Sequence, residues 1–232
     1  MFSKIKMKRI AFGLFAVAIA ASSSEGAAHA QYAAPPPPVI YTWNGGYVGL
    51  NAGLAAGADA LSTTGTMTAY GFNGGVLAGY NWQIGGLVLG AEGDANYVGL
   101  NGSQNGAGGP FGNVPEHDSF ETTWLSTVRA RVGYGWGGWL FYVTGGLAVG
   151  DHKFAGDTLY GLSNPSGNII KAGWSAGLGS EWMFAPGWST KIEYLHADLG
   201  TETFSGGPIA FSVTGHLTED IVRLGLNYKF GW

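Results

Sequence analysis

The C-terminal stretch of the chain alternates strictly between apolar and polar positions. Within residues 219–232, five apolar residues lie two apart, and polar or small residues fill the gaps: Val222, Leu224, Leu226, Tyr228 and Phe230. A period of two is typical of a β-strand with one apolar and one polar face. The same alternation recurs in earlier segments, whereas no segment after residue 30 contains 18 consecutive apolar residues. The pattern therefore predicts an all-β protein rather than a helical membrane protein.

The alternating segments predict eight antiparallel strands, at about residues 46–54, 72–82, 87–97, 122–136, 139–149, 172–184, 188–199 and 219–232. Three connections are tight, Gly-containing hairpin turns, at residues 83–86, 137–138 and 185–187. Four connections are longer and polar, at about residues 58–68, 99–119, 152–168 and 200–216. Short turns that alternate with long loops favour an eight-stranded transmembrane β-barrel with periplasmic turns and four extracellular loops.

The composition of the strands supports this interpretation. Aromatic residues make up 14% of the chain and cluster near the ends of the alternating segments, as in the aromatic girdles of a barrel. The alternatives are a soluble lipocalin-like barrel and a β-sandwich, which would bury their apolar face. Because the polar faces carry charges of both signs along many strands, we favour the barrel with lipid outside and polar residues inside.

The N-terminus predicts export. Residues 1–9 carry four basic residues and no acid, residues 10–21 are apolar, and Ala28-His29-Ala30 offers a cleavage site. We therefore assign residues 1–30 to a cleaved Sec-type signal peptide. Residues 31–42 contain four consecutive prolines and are expected to form an extended periplasmic segment, and the barrel domain is assigned to residues 43–232.

The charge balance excludes one class of partner. The full chain has 11 basic and 15 acidic residues. Cleavage after residue 30 would remove four bases and one acid, which leaves a net charge of −7 and argues against nucleic acid as a partner. The chain has no cysteine, so neither a disulfide framework nor a thiol nucleophile is expected.

The predicted inward faces carry a set of charges. Four acids and five bases are expected in the lumen: Glu92, Asp94, Glu181, Glu193, Arg129, Arg131, Lys191, Arg223 and Lys229. Glu92 and Asp94 are expected to pair with Arg129 and Arg131, and Glu193 with Arg223. These charges could form a salt-bridged plug or a path for small solutes. Because an eight-stranded barrel is just wide enough for its own side chains, we favour the plug.

Two motifs suggest chemistry. Residues 173–177 spell G-x-S-x-G, but Ser175 lies within an alternating strand, without the strand-to-helix turn that a hydrolase nucleophile needs. His196 and Asp198 could act as a base and its orienting acid at the outer rim, as in a lipid-modifying enzyme. Since no nucleophile can be placed beside them, we expect no enzyme activity.

The histidines that follow the predicted signal peptide lie in or near the predicted loops: His117, His152, His196 and His216. Their spacing matches no metal or haem motif, so we expect no metal and no cofactor. The end of the chain fits the signal that barrel assembly machinery recognises in a last strand, through Gly225, Tyr228 and Phe230. Gly231 and Trp232 extend beyond the usual terminal phenylalanine.

Six segments carry a resemblance to a known family: residues 43–53 (WNGGYVGLNAG), 79–83 (GYNWQ), 127–134 (TVRARVGY), 142–148 (YVTGGLA), 191–195 (KIEYL) and 222–230 (VRLGLNYKF). Together they resemble the alphaproteobacterial outer-membrane immunogenic proteins, small barrels similar to the membrane domain of OmpA. The resemblance implies a surface-exposed outer-membrane barrel with no shared catalytic residues. Members of this family have been linked to envelope integrity, weak pore activity, haem binding or host contact.

We therefore expect an outer-membrane protein with a structural and surface-antigen role. A narrow porin is the alternative, and a rim-sited lipid enzyme or haem binder is a weaker one. The expected partners are outer-membrane lipid and lipopolysaccharide, the assembly machinery during biogenesis, and a surface ligand at the loops, which usually carry binding on a rigid scaffold.

Overall fold

The computed structural model describes residues 41–61, 65–107, 115–156, 166–206 and 211–230. These residues form eight strands: β1 (Gly45–Leu61), β2 (Gly65–Ile84), β3 (Leu87–Ala107), β4 (Pro115–Trp136), β5 (Trp139–Gly156), β6 (Ser166–Ala185), β7 (Trp188–Gly206) and β8 (Phe211–Lys229). Within the described ranges, no helix is long and apolar enough to cross a membrane. The predicted signal peptide and most of the proline-containing segment lie outside the described residues.

The strands close into a single antiparallel barrel in chain order. β1 pairs with β8 from Tyr47 opposite Lys229 to Asp59 opposite Leu217. The N–H of Phe230 also donates to the carbonyl oxygen of Gly46 at 2.8 Å. Because the barrel is closed, every strand is hydrogen-bonded to a neighbour on both sides. A β-structure in lipid requires this, since no water is present to bond its backbone groups.

Three tight turns lie at one end of the barrel, called here the turn end. They connect β2 to β3, β4 to β5 and β6 to β7, as the sequence predicts. Gly85 and Gly137 have φ values of 61° and 57°, a left-handed conformation that a two-residue hairpin requires and that glycine adopts without strain. The opposite end of the barrel is called the far end.

The apolar faces of the strands point outward. Leu54, Val143 and Leu178 are 72%, 60% and 59% exposed, whereas inward-facing Arg129 is 1% exposed. This arrangement is the reverse of a soluble barrel, and it excludes the lipocalin-like and sandwich alternatives. The predicted inward and outward faces are confirmed in every strand.

Aromatic residues bound the outward apolar belt. Near the turn end these include Trp136, Trp139, Trp182 and Trp188, and near the far end Tyr97, Trp124, Trp174 and Tyr194. On β8 the last apolar outward residue toward the far end is Val222, and the next outward residue is the charged Asp220. The belt on β8 therefore ends between these two residues, and residues before Asp220 lie beyond it.

The strands are longer than predicted at the far end. β3 and β4, for example, remain paired as far as Ala107 opposite Pro115, within the predicted 99–119 loop. The predicted boundaries follow the apolar alternation, which ends with the apolar belt. Backbone hydrogen bonds do not need that alternation, so the strands continue past it. The predicted loops are therefore too long, and the residues between the strands at this end lie outside the described part.

Candidate functional site: a sealed charged interior

Eight of the nine predicted interior charges come together in one cluster, called here the charged layer: Glu92, Asp94, Glu181, Glu193, Arg129, Arg131, Lys191 and Arg223. Each is at most 7% exposed. Four acids meet four bases, so the layer is neutral overall. Lys229 does not join it. Its ammonium group donates instead to the carbonyl oxygen of Thr42 at the turn end, which corrects the prediction for this residue.

Arg129 and Arg223 link three of the acids across the lumen. Arg129 Nη2 lies 2.7 Å from Glu92 Oε1 and 2.9 Å from Asp94 Oδ2, and its Nη1 lies 3.2 Å from Glu193 Oε1. Arg223 Nη2 lies 2.8 Å from Asp94 Oδ2 and 2.6 Å from Glu193 Oε2. Glu92 faces Arg129, and Glu193 faces Arg223, on neighbouring strands.

Lys191 extends the cluster from β7. Its Nζ lies 2.8 Å and 2.9 Å from the two carboxylate oxygens of Glu92. Gly225 lies opposite it on β8, and a Cβ there would come within 2.8 Å of the lysine Cγ. Gly225, which belongs to the predicted assembly signal, thus also makes room for the lysine stem.

Arg131 lies within ion-pair distance of the predicted acid Glu92 but has a closer partner that was not predicted. Its Nη2 pairs with Glu181 at 2.5 Å, while Glu92 is 3.8 Å away. The guanidinium carbon lies 3.7 Å from the centre of the Tyr142 ring, a cation–π contact. β6 lies two strands from β4 around the barrel, with β5 between them, so a comparison of adjacent strands in the sequence does not reveal this contact.

An apolar cluster, the turn-end layer, closes one side of the charged layer. It consists of Trp43, Val88, Leu140, Tyr142 and Met183. Trp43 precedes β1, is 2% exposed, and donates its backbone N–H to Gln83 Oε1 at 2.6 Å. Its indole covers Gly135, where a Cβ would lie 3.0 Å from the ring. The alternating pattern does not indicate this layer, because Trp43 lies outside the alternating segments.

A larger apolar cluster, the far-end layer, closes the other side. It consists of Ala55, Ala69, Val98, Leu100, Leu125, Ala148, Leu195, Ala197, Leu199, Leu217 and Ile221. The order of the inward-facing residues along β7 shows that this layer lies beyond the charged layer, toward the far end. On β7, inward-facing Lys191 and Glu193 are followed toward the far end by Leu195, Ala197 and Leu199. The inward face is therefore not uniformly polar, and apolar residues cap the charges at both ends.

Several buried polar groups in the interior have no hydrogen-bond partner among the described residues. Both polar atoms of the Asn51 and Asn73 side chains are in this state. On Arg223, Nη1 also lacks a partner. Buried polar groups normally bond to protein or to ordered water. These side chains mark where internal water would be held.

The candidate pair of His196 and Asp198, the weaker alternative in the sequence, is not formed among the described contacts. His196 Nδ1 lies 2.8 Å from Asp220 Oδ1, which also accepts a hydrogen bond from the Tyr194 hydroxyl at 2.6 Å. Asp198 Oδ1 accepts the N–H of Gly200 at 2.8 Å and so stabilises a bulge in β7. The histidine contacts its cross-strand neighbour on β8 rather than the residue two positions along its own strand.

Burial raises the pKa of the Asp220 carboxyl, but the hydrogen bonds from Tyr194 and His196 outweigh it, so the pKa lies below its usual value. The carboxylate is therefore a stable acceptor for both groups at the rim of the belt. Ser175 of the G-x-S-x-G segment faces the opposite way, into the lumen, and is 2% exposed. No described contact joins it to a histidine.

The predicted loop positions of His152 and His216 are wrong, whereas His196 lies in a strand, within the predicted range 188–199. His152, His196 and His216 lie within β5, β7 and β8, and His152 is buried. The side chain of His117 lies outside the described part. Among the described residues, no group of three or more His, Cys, Asp or Glu side chains could hold a metal ion.

The last strand ends in an aromatic cluster. Tyr228 lies 5.0 Å from Trp188 and 5.3 Å from Phe230, ring centre to ring centre. These rings lie at the turn end of the apolar belt, where interfacial aromatic residues are favoured. Gly231 and Trp232 lie outside the described residues, so their part in the assembly signal stays a prediction.

Comparison with known proteins agrees with this architecture. Residues 13–230 match the family described as "Outer membrane protein beta-barrel domain". The chain is 39% identical to the 31 kDa outer-membrane immunogenic protein of Brucella melitensis, over 84% of this chain and 86% of that protein. It is 35% identical to the 22 kDa outer membrane protein of Rhizobium leguminosarum bv. viciae, over 82% of this chain and 79% of that protein.

Among solved structures, the chain is similar to Neisserial surface protein A, with a TM-score of 0.49 and 15% identity over 81% of this chain and 98% of that chain. The Brucella relatives are named outer-membrane immunogenic proteins. The family match and these relatives confirm the predicted resemblance and location. The chain therefore belongs to the outer-membrane β-barrel family that includes the outer-membrane immunogenic proteins.

Proposed function

We propose that this protein is a non-conducting, non-catalytic structural barrel that anchors surface segments in the outer membrane. The observation that carries the proposal is the layered interior. A neutral network of eight buried charges lies between two apolar layers, and each layer contains large side chains that are almost completely buried. A solute path would have to cross all three.

The energetics of the charged layer favour the same role. Removing one partner of a buried ion pair costs far more than an exposed pair contributes, because it leaves the other charge unpaired in a medium of low dielectric constant. A passing ion would have to displace contacts such as those of Lys191 with Glu92 or Arg223 with Glu193. The network therefore supports a rigid wall rather than a selectivity filter.

The proposed partners follow from this role. The outward belt contacts membrane lipid, and the polar residues just beyond it, such as His196 and Asp220, lie where lipopolysaccharide head groups are expected. The last strand would be recognised by the assembly machinery. The connections at the far end are the proposed surface for an antigenic or ligand contact, because loops on a rigid scaffold usually carry binding.

Single-channel recording tests the proposal. Mature protein purified from outer membranes, with folding verified by heat-dependent electrophoretic mobility, would be inserted into a planar bilayer. We expect no discrete current steps. The narrow-porin alternative predicts steps whose size or ion selectivity changes in Glu92→Gln, but not in the control Asp220→Asn, whose side chain faces outward. Such steps would overturn the proposal.

A further inference from the structure

One buried acid belongs to neither the charged layer nor the rim. Glu219 lies on the inward face of β8, between Leu217 and Ile221 of the far-end layer, and is 0% exposed. Its cross-strand neighbours are Gly57 on β1 and Ala197 on β7, neither of which can form an ion pair. Neither carboxylate oxygen has a hydrogen-bond partner among the described residues.

Glu219 is also separated from the charges that could stabilise it. Toward the turn end, the next inward residue but one is Arg223, whose guanidinium bonds Asp94 and Glu193. The hydroxyl of Thr122 on β4 lies close to the carboxyl without completing a hydrogen bond. An ionised carboxylate in such a place is costly, and a proton or entering water relieves the cost.

Among the described residues, no other titratable group near the layer forms a hydrogen bond with the Glu219 carboxylate. Among the described side chains, Asp151 of β5 accepts the N–H groups of Thr123 and Trp124. Its negative charge acts against ionisation of Glu219. His152 is buried on the inward face of β5, and Lys171 of β6 donates to the carbonyl oxygen of Thr201 at 3.4 Å. β1, β2, β3 and β7 contribute only apolar residues and glycine to the layer.

We propose that the far-end layer is a pH-dependent seal, dry and closed while Glu219 carries a proton and hydrated when Glu219 is ionised. The seal would control the entry of water from the far end to the charged layer. The turn-end layer stays closed in both states, so the proposal concerns hydration and local opening, not conduction through the barrel.

Glu219 lies beyond the apolar belt on its own strand, so its titration responds to the medium outside the membrane. Burial raises the pKa of Glu219 from 4.5 to about 7, Thr122 opposes this rise, and Asp151 adds to it.

A raised pKa means that the folded state binds the proton more tightly than the unfolded state. The free energy of unfolding should therefore fall as pH rises from about 4.5 to about 7. Above pH 7, Glu219 should contribute little further change. The unfolding constant would increase by up to about tenfold per pH unit there.

The absence of cysteine in the chain allows a direct test of hydration. Ala197→Cys places one thiol beside Glu219 within the layer, and Thr201→Cys places one at an exposed position. The measured quantity is the rate of modification by a small, water-soluble thiol reagent at pH 6 and pH 8.5. At each pH, the rate for the Ala197→Cys variant is divided by the rate for the Thr201→Cys variant. This normalisation removes the pH dependence of thiolate formation.

We expect this normalised rate to rise at least tenfold between pH 6 and pH 8.5. The rise should disappear in the Glu219→Gln background and persist with Asp220→Asn, the neighbouring carboxylate on the opposite face. A normalised rate that is independent of pH, or that rises equally with Glu219→Gln, overturns the proposal.

A second measurement uses the wild-type protein and so does not depend on whether the cysteine or Glu219→Gln variants fold. The infrared band of a protonated carboxylic acid should be present in the wild-type protein at pH 6 and absent at pH 8.5. No such band at pH 6 would mean that Glu219 is ionised throughout, which also overturns the proposal. Channel recordings do not enter either test, so its failure is distinct from failure of the proposed function.

Discussion

At the scale of the residue, Arg129 shows how one interior side chain pairs with several acids at once. Its guanidinium contacts Glu92, Asp94 and Glu193, which belong to strands on two sides of the lumen. The sequence alone suggested pairing with the neighbouring strand β3. The contact with Glu193 exists because closure brings β7 within reach of the same side chain.

Arg129→Ala should destabilise the folded barrel by roughly 3–5 kcal/mol, because it leaves the buried layer with four acids and only three bases, an excess negative charge in a medium of low dielectric constant. Urea unfolding in lipid bilayers measures this cost. The matched control is Lys229→Ala, since Lys229 is a cation of the same interior that contacts only a backbone oxygen at the turn end. Equal costs for the two variants would contradict the role assigned to the network.

At the scale of the element, neighbouring glycines of β5 have opposite requirements. A Cβ on Gly146, which faces inward, would lie 2.1 Å from the carbonyl oxygen of Val128 and 2.6 Å from the Cα of Arg129. A Cβ on Gly145, which faces outward, would meet only the carbonyl oxygen of Ser175 at 3.6 Å, an ordinary contact. The inward glycine therefore permits close packing of β4 against β5.

Gly146→Ala should cost roughly 1–3 kcal/mol, in the range of overpacking substitutions, because the backbone of β4 must shift. Gly145→Ala should be close to neutral. Unfolding midpoints and folding yields of the two variants give the comparison. If Gly145→Ala were the more damaging change, the assignment of inward and outward faces in β5 would be wrong.

The apolar belt gives a second prediction for β5. Val143 is exposed to lipid near the middle of the belt, so Val143→Arg should cost roughly 2–4 kcal/mol. Ile170→Arg places the same charge on β6, four residues beyond Trp174 toward the far end, and should cost only about 0–1 kcal/mol. Similar costs at both sites would mean that the belt extends further than the aromatic residues indicate.

At the scale of the whole molecule, the barrel interior is a stack of three layers rather than a polar channel. The turn-end layer depends on Trp43, which precedes the first strand and folds back into the lumen. Because the far-end layer closes the opposite side independently, loss of one layer should affect stability without creating a continuous path.

Trp43→Ala should lower stability by roughly 3–5 kcal/mol, as for other buried aromatic residues. It should still give no single-channel current. Trp136→Ala, at an outward position that is 75% exposed, is the matched control and should cost less. Current steps in Trp43→Ala would show that the turn-end layer alone keeps the barrel closed.

Much of the fold was predictable from the sequence, because lipid imposes a simple rule on each strand. Alternation identified the eight strands, their faces and the tight turns, and the family resemblance agreed with the comparisons. The rule does not apply beyond the apolar belt, where both faces of a strand can be polar. The far-end strand lengths, and the strand positions of His152 and His216, were therefore not predicted.

The sequence by itself determined which residues face lipid and which face the lumen, since a period of two assigns every side chain to one side of a strand. Only the tertiary structure decided which inward residues meet. Closure and the stagger of the strands bring Arg131 to Glu181, His196 to Asp220, and Trp43 into the turn end of the lumen. The same geometry leaves both carboxylate oxygens of Glu219 without a hydrogen-bond partner among the described residues, because partners across a barrel depend on register and closure rather than on spacing along the chain.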